Sequence, residues 1–367
     1  MTGPSGVTYS ADVASAGRVA RLAVTGLDPD TEYTYVVESP NQAVECPTGR
    51  FRTAGASSFT VAFAGDASNG SNHAVFDAIR AKDPLMVIHL GDAHYSNISA
   101  DTPSLFHAAL DEMFGMARQA QLYREVPTAY VWDDHDSGPN NSNASSVTAA
   151  AKAVYRGRVP HYPLGDATVT APVYQSWVIG RVRFVMTDQR SAASTHGATD
   201  NASKTVLGTT QKAWFKSELD AATLAGEMVV WICPRMFGGV PTAGADHWGG
   251  FTTERTELCD YIQANAPGRV VALSADAHAL AIDDGTNHDF VTTGSEPIPT
   301  FQAAPLDRTP DSVIYGGAAY SEGWFNSNGQ FGTMTIVDTG GPAISVTWTG
   351  FDSTGAALVT HAFSVYV

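Results

Sequence analysis

Trp132-Asp133-Asp134-His135-Asp136 sets three carboxylates and an imidazole at the end of an apolar run, Thr128 to Val131, that reads as a buried strand. Unpaired buried carboxylates are costly, so a strand end this acidic points to chemistry rather than packing. Similar groups follow four other β-rich runs. Asp66 follows 60–64, Asp92 follows 85–90, Asp188 and Arg190 follow 181–187, and Asp276 and His278 follow 270–273. In open α/β sheets ligands bind beyond the carboxyl ends of the strands, so these groups are expected to converge in one crevice. One strand-end Asp often only caps the next helix. Five such ends, with two histidines among them, call for a cation between the carboxylates. Oxygen donors with imidazole suit divalent or trivalent metals, and two metals about 3.5–4 Å apart suit in-line phosphoryl hydrolysis.

The elements that must position these groups alternate between strand and helix from Phe59 onwards, which implies a mostly parallel or mixed sheet built from βαβ-type units. Strands are expected over 60–64, 85–90, 128–132, 228–233 and 270–273, and an antiparallel pair over 174–180 and 181–187. Helical spacing marks 73–82, 104–120, 147–156, 211–222 and 252–264. Three β-rich runs from Phe331 to Val367 are expected to close a second sheet. Asp283-Asp284 and Asp352 read as surface turn residues, and Asn140 to Asn143 as a solvated turn. Residues 1–55 differ, with short alternating segments at 18–24 and 33–37 around the turn Gly26 to Thr31. Leu27 to Tyr33 is similar to the tyrosine corner of fibronectin type III and immunoglobulin-like sandwiches, although about 55 residues make only a reduced module. The expected division is 1–55 as this β module and 56–367 as the catalytic domain with its β-rich tail.

Composition narrows the function. With 37 acidic and 21 basic side chains the formal net charge is −16, which argues against sequence-independent binding to nucleic acid or anionic lipid. Cys46, Cys233 and Cys259 are scattered and odd in number, so packed thiols are expected rather than disulfides or a thiolate zinc site. The first residues lack the basic and apolar regions of a signal peptide, and no run approaches membrane-spanning length. The P-loop, H-E-x-x-H and G-x-S-x-G signatures are absent.

The acidic blocks resemble the PhoD-type alkaline phosphatases within the calcineurin-like metallophosphoesterases. H-L-G-D-x-x-Y is matched by His89 to Tyr95, W-D-D-H-[DE] by Trp132 to Asp136, and D-x-R by Asp188 to Arg190. L-G-x-x-Q is matched by Leu207 to Gln211 and D-x-W-x-G-[YF] by Asp246 to Phe251. The resemblance implies a four-layer α/β/β/α sandwich with a small β module in front, and a phosphoric ester hydrolase using two metals, Fe3+ with Ca2+, with Zn2+ or Mn2+ as alternatives. It implies that Asp66, Asp92, Tyr95, Asp134, Asp276 and His278 hold the metals. Asp92 would bridge them, Tyr95 would supply a phenolate to ferric iron, and His135 would stand near the leaving group. The family often has Cys after the first strand where this chain has Asp66, which returns that position towards the wider superfamily pattern. It also implies a secreted or periplasmic setting.

Several roles stay open. Arg190 either clamps a phosphate oxygen or partners Asp188. His94 lines the substrate pocket or packs beneath it, and the loop 236–250 with His247 and Trp248 forms a cleft wall unless the Asp246 motif merely anchors it. Asp133 and Asp136 read as supports of Asp134 and His135, on motif register alone. The substrate is expected to be a small phosphate mono- or diester. Triester or phospholipase D-like hydrolysis at the same site is the alternative, and a non-catalytic calcium-stabilised binding module the rival class.

Overall fold

Val61 and Phe63 of the first long strand face one core while Ala62 and Ala64 face another, the period-two pattern of a strand covered on both sides. The computed structural model describes residues 19, 21–37, 47–310 and 320–367. Among the described residues, strands β1 (Glu32–Tyr35) and β2 (Gly49–Arg52) pair only with each other. They are followed by β3 (Phe59–Ala64), α1 (Val75–Ala81), β4 (Met86–His89), α2 (Pro103–Gly115), α3 (Ala117–Glu125) and β5 (Thr128–Tyr130). The short α4 (Asp134–Ser137) and α5 (Ala149–Arg158) lead to the hairpin β6 (Gln175–Ile179) and β7 (Val182–Met186). Then come α6 (Gly208–Ala225), β8 (Met228–Ile232), α7 (Thr252–Asn265) and β9 (Val270–Ser274). The chain closes with β10 (Leu280–Asp283), β11 (Thr300–Gln302), β12 (Trp324–Phe325), β13 (Phe331–Val337), β14 (Ala343–Phe351) and β15 (Ala357–Tyr366).

The strands after β2 form two sheets, ordered β15-β14-β13-β3-β4-β5 and β12-β10-β11-β9-β8-β7-β6. Their inner faces share one core, with Phe63, Ile88, Met334 and Trp348 from the first sheet against Phe184, Val230, Leu273 and Phe301 from the second. On the outer face of the first sheet, Val75, Phe76 and Ile79 of α1 and Leu122 of α3 pack on Ala62 and Val87. On the outer face of the second, Phe215 and Leu219 of α6 and Leu258 and Ile262 of α7 pack on Val229, Trp231 and Ala272. The result is the expected four-layer α/β/β/α arrangement. Strands β3, β4 and β5 run parallel, as do β7, β8 and β9, so both sheets bring carboxyl ends to one edge.

The β1–β2 segment carries the expected tyrosine corner: the buried Tyr33 hydroxyl accepts a hydrogen bond from Asp28 N–H at 2.9 Å. Of the alternating segment expected over 18–24, only Val19, in a β-bridge, pairs within its described part. Arg21 instead sends its guanidinium to the carbonyls of Arg156 and Val159, at 2.7 and 3.0 Å, and residues 21–25 carry no ladder. Asp283 corrects another expectation. It is fully buried at the end of β10, where it accepts from the backbone of Gly285, Asn287 and Ser321 at 2.9, 3.1 and 3.0 Å. Cys233 and Cys259 are buried free thiols, while Cys46 lies outside the described residues. Among the described residues no helix is long and apolar enough to cross a membrane.

Candidate active site

Backbone hydrogen bonds bring the strand ends together. Asp66 N–H donates to Gly91 O at 3.2 Å and Ala67 N–H to Asp92 O at 2.8 Å, tying the loop after β3 to the loop after β4. Asp276 N–H, after β9, crosses to the carboxylate of Asp66 at 3.2 Å and joins the second sheet to the first. Gly91 is needed where it stands: its φ is +95°, and a Cβ there would lie 2.6 Å from Asp133 Cβ. Asp66, Asp92, Asp276 and His278 are also left-handed, with φ of 63, 51, 70 and 43°. That conformation costs a non-glycine residue about 1–2 kcal/mol, and such strain clusters at functional sites.

Three groups of ligand atoms result, each lying within 4.8 Å: Asp66, Asp92 and His278; Asp92, Asp134 and His135; and Asp133, Asp134 and Asp276. Asp92 belongs to the first two, and Asp134 to the last two. The half-buried Tyr95 joins the first group, its hydroxyl 2.8 Å from His278 Nε2 and 3.1 Å from Asp66 Oδ1. His278 Nδ1 meets the carbonyl of Thr309 at 2.8 Å, which leaves Nε2 facing the carboxylates. His135 meets the Asn97 side-chain oxygen through Nδ1 at 2.6 Å. Its Nε2 stands 4.0 Å from Asp92 and 3.8 Å from Asp134.

The six residues expected as metal ligands therefore assemble in one place, with His135 among them. The fifth strand end departs from expectation. Asp188 is buried with its carboxylate turned to the amides of Val173, Arg190 and Ser191, at 2.9, 3.0 and 3.0 Å, and it joins none of the ligand groups. Arg190 partners Asp188 only through that backbone amide. Its guanidinium, 0% exposed, binds Asp133 through Nε and both oxygens of Asp246 through Nη1 at 2.7 Å. Its Nη2 lies 3.5 Å from Asp134 and 3.7 Å from Asp276. Trp248, expected on a cleft wall, is 0% exposed. Its indole packs on Phe237 and Trp231 and its Nε1 reaches Gln189 and Cys233, so the loop is anchored through the core. His94 is likewise buried beneath the site, near Asp136.

Asp136 is a scaffold. Its carboxylate accepts from Ala93, His94 and Asp133 N–H at 2.8, 3.2 and 3.1 Å, clamping the β4 and β5 ends together in a capping box around α4.

Burial, with repulsion between neighbouring carboxylates, raises several of these acids above the usual carboxylate range. Burial, then Asp134 and Asp133, pushes Asp92 well above the usual carboxylate range. Asp276 rises in the same way, through burial and then Asp133. Burial lifts Asp66 to about 6, Asp133 to about 7 despite Arg190, and Asp136 to about 6. Asp246 goes the other way: burial would raise it, but Arg190 and Arg235 hold it well below its usual value. Burial lowers His135 and takes His94 down to about 4.

The sequence pattern of the PhoD-like phosphatases matches residues 59–347. The chain belongs to the PhoD-like phosphatase family. Among solved structures, its fold is similar to a structure of PhoD, with a TM-score of 0.71 at 17% identity, over 93% of this chain and 79% of that one. It is also similar to the purple acid phosphatase PPD1 from yellow lupin seeds, with a TM-score of 0.54 at 15% identity, over 92% of this chain and 60% of that one. At these identities the likeness is one of fold. No curated protein matches the chain in sequence.

The further PhoD-type motifs interlock behind the ligands. Gln211 of the L-G-x-x-Q block accepts from Asp188 N–H at 2.8 Å and donates to Asp188 O at 2.7 Å, which holds the D-x-R loop so that Arg190 meets Asp246. Sequence reasoning missed Asn97, the partner of His135, and the segment 306–309. Asn97 has a left-handed φ of 50°, a feature of the folded backbone that its residue type alone does not announce. Segment 306–309 has no periodicity, yet Asp307 accepts from Ser68 N–H and Ser71 Oγ at 2.5 Å each, locking it onto the loop after β3.

Proposed function

We propose that this PhoD-like phosphatase is a metal-dependent phosphoric ester hydrolase acting on small mono- and diesters, with residues 56–367 as its catalytic unit and 1–55 as an appended β module. One observation carries the reading: Asp92 belongs both to the group with Asp66 and His278 and to the group with Asp134 and His135, as a bridging carboxylate would. The residues fit a cation pair by an independent criterion. Asp134 Oδ1 and Asp133 Oδ2 are buried without a hydrogen-bond partner, and Asp92 and Asp276 are forced towards protonation, a cost that cations would remove.

Asp66, Asp92, Tyr95 and His278 would hold one metal, and Asp92, Asp134 and Asp276 the other. The phenol oxygen beside an imidazole and two carboxylates supports ferric iron at the first position, and the all-carboxylate donors of the second suit calcium. Bound there, the pair would supply the positive charge that polarises the phosphoryl group and lowers the pKa of water. His135 moves the proton. With Nδ1 tied to Asn97, Nε2 is the atom that takes up a proton and returns it to the leaving oxygen. Arg190 positions Asp133 and Asp134 from behind and offsets part of their charge. Because His135 Nε2 also falls within a ligand group, a second reading makes it a ligand.

Asp92→Ala tests the proposal directly. Metal content and hydrolysis of an aryl phosphate ester should both collapse, and a fully active variant would sink the assignment.

A further inference from the structure

We infer that Arg308 is the substrate-anion residue of this site and that it selects phosphomonoester dianions over diesters, an inference that rests on the phosphate-ester reading above. The half-buried Arg308 lies over the ring of Tyr95, its guanidinium carbon 4.0 Å from the ring centroid. The Tyr95 ring lies 4.1 Å from the His135 ring, centroid to centroid, and its hydroxyl touches Asp66 and His278. The guanidinium therefore stands one aromatic ring away from the first ligand group.

Its backbone is fixed. Arg308 N–H and Asp307 N–H both donate to Asp66 O, at 3.2 and 3.3 Å, and Leu306 N–H donates to Gly65 O at 2.9 Å. The Asp307 carboxylate is held by Ser68 and Ser71, and the next carbonyl, of Thr309, orients His278. The same short segment thus orients a ligand and carries a cation.

That cation is uncommitted. The other guanidiniums near the acidic cluster are spoken for: Arg190 by Asp133 and Asp246, and Arg235 by Asp246 at 3.6 Å and Gln189 O at 3.0 Å. Among the described residues Arg308 forms no ion pair and no side-chain hydrogen bond beyond its stacking on Tyr95. Stacking leaves the N–H edge of a guanidinium free, and that planar fork matches two oxygens of a phosphate.

The chemistry of the ligand follows from charge. A diester carries one negative charge, which two metals can take up. A monoester dianion carries a second, and it must approach a cluster of five aspartates on a chain of net charge −16. Arg308 supplies the compensating charge at the rim. Diesters, lacking the second charge, gain little from it.

The test uses purified protein of measured metal content and an aryl phosphate monoester with its matched aryl methyl diester. Arg308→Gln should lower kcat/KM for the monoester by about 10- to 100-fold, the worth of a hydrogen bond to a charged group. The diester should change by less than about threefold. Arg308→Lys should recover part of the monoester loss, and calorimetric binding of inorganic phosphate should weaken about tenfold in Arg308→Gln. Equal losses on both esters, unchanged phosphate binding, or loss of metal in both variants would overturn the inference. A wild-type protein that turns over neither ester would sink the phosphatase reading. Weakened phosphate binding in Arg308→Gln would then still support an anion site at Arg308.

Discussion

Gly91→Ala is the sharpest probe of how the backbone builds this site. The new methyl would stand 2.6 Å from Asp133 Cβ and 2.7 Å from Asp133 N, at a φ of +95°. Two costs add: about 1–2 kcal/mol for left-handed backbone at a residue with a Cβ, and about 1–3 kcal/mol for overpacking against a neighbour that cannot retreat. Asp133 cannot retreat, because its amide is held by Asp136 and its carboxylate by Arg190. The expected destabilisation is therefore about 2–5 kcal/mol. Two controls separate the terms. Gly226→Ala meets no atom within 4 Å at a φ of +67° and should cost only the left-handed term, about 1–2 kcal/mol. Gly65→Ala would meet Ala275 Cβ at 2.8 Å and should cost only the contact term, about 1–3 kcal/mol. Denaturant unfolding reads all three, and elemental analysis asks whether Gly91→Ala also loses metal, as moving Asp92 away from Asp134 should make it do. A Gly91→Ala protein within about 0.5 kcal/mol of wild type, carrying its full metal, would refute the reasoning.

Further outcomes follow from the charges. Asp66, Asp133 and Asp136 hold their protons up to about 6, 7 and 6 when no cation is bound, against 3.8 for an ordinary Asp. The folded state then binds more protons than the unfolded, so this contribution to stability is complete below about pH 4 and is lost as pH rises through 6–7. Chelator-treated protein should show its urea midpoint falling over that window, whereas metal-loaded protein should show it rising; a flat profile in both would contradict the burial of these acids. Asp246→Ala strips both Arg190 and Arg235 of a carboxylate and should cost about 3–5 kcal/mol in thermal or denaturant unfolding, and a neutral result would remove it from the charge network. His135→Ala should cut kcat by about 10²–10⁴-fold with metal retained, while loss of metal would make it a ligand instead.

The sequence was most legible where one signal repeats. Apolar runs ending in acids placed Asp66, Asp92, Asp134 and Asp276, because strand direction alone carries those side chains to a common edge. It was least legible where geometry depends on distant partners. Asp188 looks like its four counterparts in sequence, yet it folds back on nearby amides, and nothing local distinguishes the two fates. The strands β10, β11 and β12, two to four residues each, have too few residues for a periodicity and exist because a ladder is offered to them. Trp248 read as a wall because it lies in a glycine-rich loop, but its indole supplies the core that anchors that loop. Arg308 has no motif around it, and only the fold sets it over Tyr95.

The order of strands in the first sheet has a consequence for biosynthesis. β3, which leads to Asp66, is hydrogen-bonded on one side to β4, made soon after it, and on the other to β13, which starts at Phe331. At about 5–20 residues per second, a ribosome leaves the open side of β3 without its partner for about a quarter of a minute to a minute. During that interval an apolar strand edge is available to any other nascent chain, and α1, already packed on the outer face, does not cover it. The site would thus be last to form although its first ligand is made early, and a ribosome stalled before Phe331 should yield a chain that chaperones retain and that cannot hold metal.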